Sequence, residues 1–275
     1  MAQRIITGGI MTLALALLLY LGGWVFAIAA FLVFALAIYE ELHALTQAGH
    51  QPVCWTAYAA LAISVPTVLY YSYASIIPIL TLLSFCALLQ IMRRPEPDLI
   101  DVLISVLPML TLVLPAICIF GLLEITPRTL QLFFLVMLFV IAVGGDTAAY
   151  FVGSRIGGLK LCPNISPKKT VSGAIGGLLG SILCALAAGW IFSLCAPDLP
   201  LPPFWANMLA GLFGGFAGQV GDLFASMVKR HCKVKDFGNL FPGHGGMLDR
   251  LDSISFVAII VYCYRIILLL GTPAA

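Results

Sequence analysis

Charge is scarce in this chain. Only 9% of its 275 residues are Asp, Glu, Lys or Arg, against roughly 25% in an ordinary soluble domain, which excludes a normally solvated globular surface. The eight cysteines, at 54, 86, 118, 162, 184, 195, 232 and 263, form no C-x-x-C pair or other zinc spacing. They read as small, reduced side chains rather than a metal site or disulfide framework. A P-loop and the protein-kinase motif set are also missing, so any phosphate chemistry is not run on a soluble nucleotide-binding fold. The apolar N-terminus ends in no A-x-A-like cleavage site and a second apolar run follows at once, so it reads as a retained first span. Low-complexity tracts are absent, and the lack of an evident inverted repeat counts against a secondary transporter.

What the chain has is apolar length. It is 61% hydrophobic, its mean hydropathy is +1.08, and its apolar runs reach the ~18 residues that a bilayer requires. They fall at 5–21, 24–43, 53–71, 74–92, 99–122, 129–151, 173–195, 204–228 and 252–271. A backbone in lipid must satisfy its own hydrogen bonds, and the alternation of a barrel is absent. The expectation is an all-α polytopic integral membrane protein of nine transmembrane helices with a cytoplasm-facing polar site. Residues 1–125 form N-terminal helices and 126–275 a catalytic transmembrane region. Pro108 and Pro115 should bend the fifth span.

The basic residues orient it. With the N-terminus inside, Arg4, Arg93, Arg94, Arg155, Lys160, Lys168, Lys169, Lys229, Arg230, Lys233, Lys235 and Arg250 are cytoplasmic, twelve of the fourteen Lys and Arg. Arg128 falls in an external turn and Arg265 in the last span. By the positive-inside rule this puts the polar loops in the cytoplasm and the C-terminus outside. Glu40, Glu41 and Asp101 read as ordinary residues of cytoplasmic turns.

Chemistry concentrates in three stretches: "GGDTAAYFVGSR" (144–155), "KLCPNISPKKTVSGAIGG" (160–177) and "GQVGDLFASMVKRHCKVKDFGNLFPGHGGMLDRLD" (218–252). Asp222 and Ser226 share a helix face, with Lys229 one turn on. Asp249 and Asp252 project from the first turn of the last helix, where the macrodipole favours acids in any case. Acidic groups at membrane depth are costly and mark sites. Carboxylates without Cys or His partners suit a hard cation, Mg²⁺ above all. Asp146, read as ending the sixth span, either joins that pocket or is a helix-end carboxylate. In "SPKKT", Pro167 starts a turn, and Lys168 and Lys169 precede a glycine-rich helix whose N-terminus attracts anions. Both also satisfy the positive-inside rule. Lys229, Arg230, Lys233 and Lys235 read as a phosphate clamp or a plain lipid-facing cluster. "PGHGG" offers a flexible backbone with exposed N–H groups and the imidazole of His244. The small-residue pairs 173/177, 176/180, 211/215 and 214/218 permit close helix packing, either within the site or across a homodimer seam.

From Ser226 to Asp252 the chain reads Ser, two residues, Lys-Arg, four residues, Lys-Asp, then His-Gly-Gly and Asp-Arg-x-Asp. This resembles the signature of the CDP-diacylglycerol synthases, the phosphatidate cytidylyltransferases, and "GDTAAYFVG" and "ISPKKTVSGAIGG" resemble that family's upstream segments. Two departures stand out: Val171 and Ser172 where Trp-Glu is common, and "DTAAY" in place of Asp-Thr-Gly-Ala-Tyr. The resemblance is strong over 140–253 and diffuse before it.

It implies CTP and phosphatidic acid as substrates in the bilayer, no nucleic acid, and a bacterial-type inner membrane. It also implies Mg²⁺ with a monovalent cation such as K⁺. Asp222 and Asp249 would hold the metal, with Asp252 and Asp146 beside them. Lys229, Arg230, Lys235, Lys168 and Lys169 would neutralise phosphates. His244 would donate to a phosphate oxygen, and Asp236, Arg250, Ser226, Gly245 and Gly246 complete the candidate set. Two other classes compete: a further CTP-dependent membrane lipid transferase or kinase, and a transporter of a phosphorylated solute.

Overall fold

A computed structural model describes residues 2–70 and 73–271. Ten helices lie in chain order: α1 (Ala2–Leu21), α2 (Gly23–Gln47), α3 (Cys54–Tyr70), α4 (Ile76–Met92), α5 (Leu99–Pro108), α6 (Leu114–Leu123), α7 (Arg128–Ile156), α8 (Val171–Cys195), α9 (Phe204–His231) and α10 (Leu248–Gly271). Among the described residues seven segments are long and apolar enough to cross a membrane: Gly23–Gln47, Tyr73–Met92, Leu99–Leu123, Arg128–Ile156, Val171–Cys195, Phe204–His231 and Leu248–Leu268. Ile6–Leu21 and Cys54–Leu69 are shorter apolar helices. An all-α polytopic membrane protein is therefore what the sequence builds, and seven rather than nine segments meet the length.

Local chemistry explains several breaks. α1 and α2 are separated only by Gly22, at φ 55°, followed by Gly23 at φ 48°, a backbone region that costs glycine little. The bend expected near Pro108 and Pro115 is a single π turn, Met109–Val113, closed by the Leu114 N–H on the Met109 carbonyl. A π turn absorbs the hydrogen bonds that proline cannot make. Asp98 caps α5 by accepting the Ile100 N–H at 2.9 Å.

Three expectations are corrected. Asp146 does not end a helix; α7 continues to Ile156. Pro167 does not start a turn: with Lys168 and Lys169 it lies on β2 (Ser166–Thr170), directly before α8, paired antiparallel with β1 (Lys160–Cys162) in the register Lys160 to Thr170 and Cys162 to Ser166. Glu40 and Glu41 are no turn residues: both are buried within α2. The side chain of Arg4 and the C-terminal end, each used in the orientation, lie outside the described residues.

The chain forms two compact units, and their boundary cuts two continuous helices. The first unit is Met1–Leu123 with Val228–Leu251; the second is Glu124–Met227 with Asp252–Ala275. The signature loop 228–251 groups with the N-terminal helices. In the first unit Phe34, Leu61, Met109 and Phe120 are fully buried.

In the second unit glycine does the packing. A Cβ on Gly180 would lie 2.3 Å from Ala148 Cβ, and one on Gly176 would lie 2.6 Å from Val152. One on Gly211 would stand 2.7 Å from the Ile182 backbone, and one on Gly214 would stand 2.9 Å from Ile141. The small-residue pairs thus bring α7, α8 and α9 together inside this unit, where backbones approach closely. Ala148, one of the departures in "DTAAY", occupies the space that Gly180 leaves.

Candidate active site

In the first unit the loop after α9 starts from a tight helix end. Lys233 adopts φ 56°, the Lys233 N–H donates to the Arg230 carbonyl at 3.2 Å, and the Val234 N–H donates to that of Lys229 at 3.0 Å. This is a Schellman ending built on lysine instead of glycine. The chain then turns Phe237 inward and closes a small turn, in which the Phe241 N–H donates to Gly245 O at 2.9 Å and the His244 N–H to Phe241 O at 2.9 Å. Gly245, at φ 86°, has no room for a side chain: a Cβ would lie 2.7 Å from Asp249 Oδ2.

Asp249 is the anchor. Its Oδ1 stands 2.7 Å from Lys229 Nζ, and its Oδ2 accepts the N–H groups of Phe237 and Gly246, each at 2.9 Å. Lys229 Nζ also lies 5.4 Å from the Phe237 ring centroid, a cation–π contact. The pair is nearly dry, with side-chain exposures of 12% for Lys229 and 4% for Asp249. At such burial the two charges depend on each other, because a lone buried charge is costly.

Glu40, on α2, accepts the Met247 N–H at 3.0 Å on Oε1 and the Leu248 N–H at 2.8 Å on Oε2. Two carboxylates, Asp249 and Glu40, therefore consume the N–H groups of residues 246, 247 and 248, donors that the α10 N-terminus otherwise leaves orphaned. The expectation that "PGHGG" offers exposed backbone N–H groups fails for His244 and Gly246, whose N–H groups are spent inside the loop. The His244 ring lies beside α1, 3.8 Å from where a Cβ on Gly8 would stand. His244 Nδ1 and Arg250 Nε are buried without a hydrogen-bond partner among the described residues. Arg230, Lys235 and Asp236 are exposed. Cys232, buried just past α9, has its thiol pushed up by burial first and by neighbouring Glu41 second, as in an inert structural cysteine.

The second unit holds the other candidates. Lys169 Nζ is 2.5 Å from Asp222 Oδ2. Asp146 Oδ2 accepts from Ser253 Oγ at 2.8 Å, and Asp252 Oδ1 accepts the Ser253 N–H at 2.8 Å, so Ser253 holds both acids. Strand β2 brings Lys169 to Asp222 and leaves Lys168, one residue away on the alternate face, exposed. The Thr170 hydroxyl accepts the Gly173 N–H at 3.1 Å and caps α8. Ser172, the other departure, donates to the Gly157 carbonyl. Ser226 is buried in α9.

Sequence reasoning missed Glu40 and Phe237. A signal existed for Glu40, since two adjacent acids inside an apolar run are costly and call for partners.

Among the described residues no group of three or more His, Cys, Asp or Glu could by itself hold a metal. Mg²⁺ seldom uses an all-protein cage; one or two carboxylates plus phosphate oxygens suffice. In donor chemistry Asp249 of the first unit, and Asp146, Asp222 and Asp252 of the second, each suit that mode. Asp249 accepts three hydrogen bonds of the about four that a carboxylate can take, which leaves one lone pair on the oxygen beside Lys229.

A sequence profile of the cytidylyltransferase family matches residues 2–268. The chain is 50% identical over 117 residues to a phosphatidate cytidylyltransferase of Bacillus subtilis, covering 42% of this chain and 41% of the relative. A protein of that name from Brucella suis is 41% identical over 130 residues, 47% of this chain and 46% of the relative. One from Synechocystis is 40% identical over 136 residues, 49% and 43%. Each alignment spans less than half of the curated relative. The family profile spans nearly the whole chain, and the chain belongs to the cytidylyltransferase family.

Proposed function

We propose that the chain transfers the cytidylyl group of CTP to phosphatidic acid, giving CDP-diacylglycerol and pyrophosphate. Beyond family membership, one observation supports it. In a chain poor in charge, candidate lysines and aspartates are paired with each other, Lys169 with Asp222 and Lys229 with Asp249. Paired opposite charges suit a ligand that brings both signs, a nucleoside triphosphate with a divalent cation.

Phosphatidate is already an anionic nucleophile. Its phosphate oxygen attacks the α-phosphorus, the α–β anhydride bond breaks, and the electron pair leaves on pyrophosphate. No base is needed, so the protein supplies position and charge compensation. Lys168, Lys169, Lys229, Arg230 and Lys235 meet phosphate oxygens, and His244 donates to one. Asp249 in the first unit, and Asp146, Asp222 and Asp252 in the second, are the carboxylates suited to Mg²⁺, with a monovalent cation as the second ion. When bound, the metal would neutralise the triphosphate and the leaving pyrophosphate. The loops face the cytoplasm from the cell membrane.

The test is to incubate the detergent-purified protein with CTP, phosphatidic acid and Mg²⁺. A lipid-soluble cytidine nucleotide should form together with an equal amount of pyrophosphate. In a parallel incubation with diacylglycerol in place of phosphatidic acid, conversion to phosphatidate with release of CDP, and no cytidine lipid from the first, would make the chain a CTP-dependent lipid kinase.

A further inference from the structure

We propose that Glu40 is a positioning residue for the site: from α2, it sets where the N-terminus of α10, and with it Asp249, is held. Three observations within the first unit converge on it. The carboxylate takes the consecutive N–H groups of Met247 and Leu248, one on each oxygen. The loop is cut away to admit it, since a Cβ on Gly246 would stand 2.4 Å from Oε2 and one on Gly238 would stand 2.5 Å from Oε1. Glu40 as a residue is also only 6% exposed, so these contacts are sheltered from bulk solvent.

Burying a carboxylate inside an apolar helix is unfavourable unless it is hydrogen-bonded. Here the partners are not on α2 but in the signature loop, 207 and 208 residues away in sequence. The neighbouring N–H, that of Gly246, goes to Asp249 itself. Glu40 therefore fixes the residues on which the Asp249 side chain closes. Displacing that turn moves Asp249 and its lysine while leaving every signature residue in the sequence. Glu40 touches no reacting atom in this account; it acts through the α10 N-terminus.

The inference rests on the cytidylyl-transfer reading for its rate measurement only. Four variants test it in the full-length protein: Glu40→Gln, Glu40→Ala, Gly246→Ala and the double Glu40→Ala/Gly246→Ala. Gln matches Glu in size but puts an N–H₂ group against one of the two donors. Glu40→Gln should raise hydrogen exchange in peptides spanning Met247 and Leu248. It should also lower kcat by about ten- to a hundredfold, the usual loss when a group that orients a ligating side chain is removed, with KM for CTP changed much less.

Gly246→Ala should be impaired because its methyl meets the carboxylate, and removing that carboxylate should relieve the clash. The double variant should then be no worse than Glu40→Ala, a non-additivity that residues in contact show. Should Glu40→Ala not accumulate folded, Glu40→Gln and Gly246→Ala decide the matter alone. A Glu40→Gln protein with wild-type exchange and kcat would overturn the proposal. So would one that loses only thermal stability while its kcat per folded molecule is intact. If the wild-type protein makes no cytidine lipid, the functional reading fails, and the exchange comparison still decides whether Glu40 holds the turn.

Discussion

At the scale of single residues, Asp249 carries the most. Its carboxylate holds Lys229, Phe237 N–H and Gly246 N–H at once, so Asn cannot replace it quietly. The amide loses the charge that Lys229 needs and turns a donor toward another donor. Asp249→Asn should lower the rate of cytidylyl transfer at least ~10²-fold if a metal clamp is also lost, measured as kcat at saturating CTP over a range of Mg²⁺. A helix-capping role alone would leave activity nearly unchanged, because Asn caps about as well as Asp. Lys229→Met should cost about 3 kcal/mol of stability by leaving the buried aspartate unpaired, read from a denaturation curve in detergent. Lys169, held by Asp222, should matter more than exposed Lys168: Lys169→Ala should raise KM for CTP more than Lys168→Ala does. The shared face of Asp249 and Asp252 at the start of α10 was legible in the sequence because it follows from helix geometry, whereas the Lys229–Asp249 pair joins two helices across a loop. For Glu40 only the cost of an acid in an apolar run was legible; its partners lie two hundred residues on, and no local pattern announces them.

At the scale of elements, the seams between helices are made by missing side chains. Gly180 faces Ala148, with the Gly144 carbonyl 3.2 Å from where its Cβ would be. Gly180→Val should therefore cost about 1–3 kcal/mol through overpacking, visible as a lower unfolding midpoint. Gly9→Ala, with nothing within 4 Å of the added methyl, should stay within about 0.5 kcal/mol of wild type. The glycine periodicity was legible, and its use was not: the same pattern serves an internal seam or a dimer. Here the pairs on α8 and α9 are occupied within the second unit. Gly144 and Gly145 misled for a related reason. Read as the end of a helix, they are close-approach positions inside α7, where a Cβ would meet Cys184 Sγ at 2.4 Å or lie against Ser181. Asp146 is therefore presented from mid-helix. The β1–β2 hairpin escaped notice because its strands are only three and five residues long, too short for an alternation to register.

At the scale of the whole molecule, membrane character and family follow from scarcity of charge and from one dense segment, and both were legible from the start. Orientation rests on the distribution of Lys and Arg, and it is checked with a single introduced thiol. Asn239 is exposed, whereas a side chain at Gly238 would strike Glu40, so Asn239→Cys is the better probe. With exposed Cys54, Cys195 and Cys263 replaced by Ser, an impermeant maleimide should label Asn239→Cys from the cytoplasmic face only. Labelling from the opposite face alone would reverse the topology.

The central claim is that the cytidylyl group, and not the terminal phosphate, moves to the lipid. Parallel incubations with phosphatidic acid, Mg²⁺ and CTP labelled either at the α-phosphorus or at the γ-phosphorus test it most directly. The account predicts α-label in the lipid fraction and γ-label in pyrophosphate. Label from the γ-phosphorus in lipid, with none from the α-phosphorus, would contradict it.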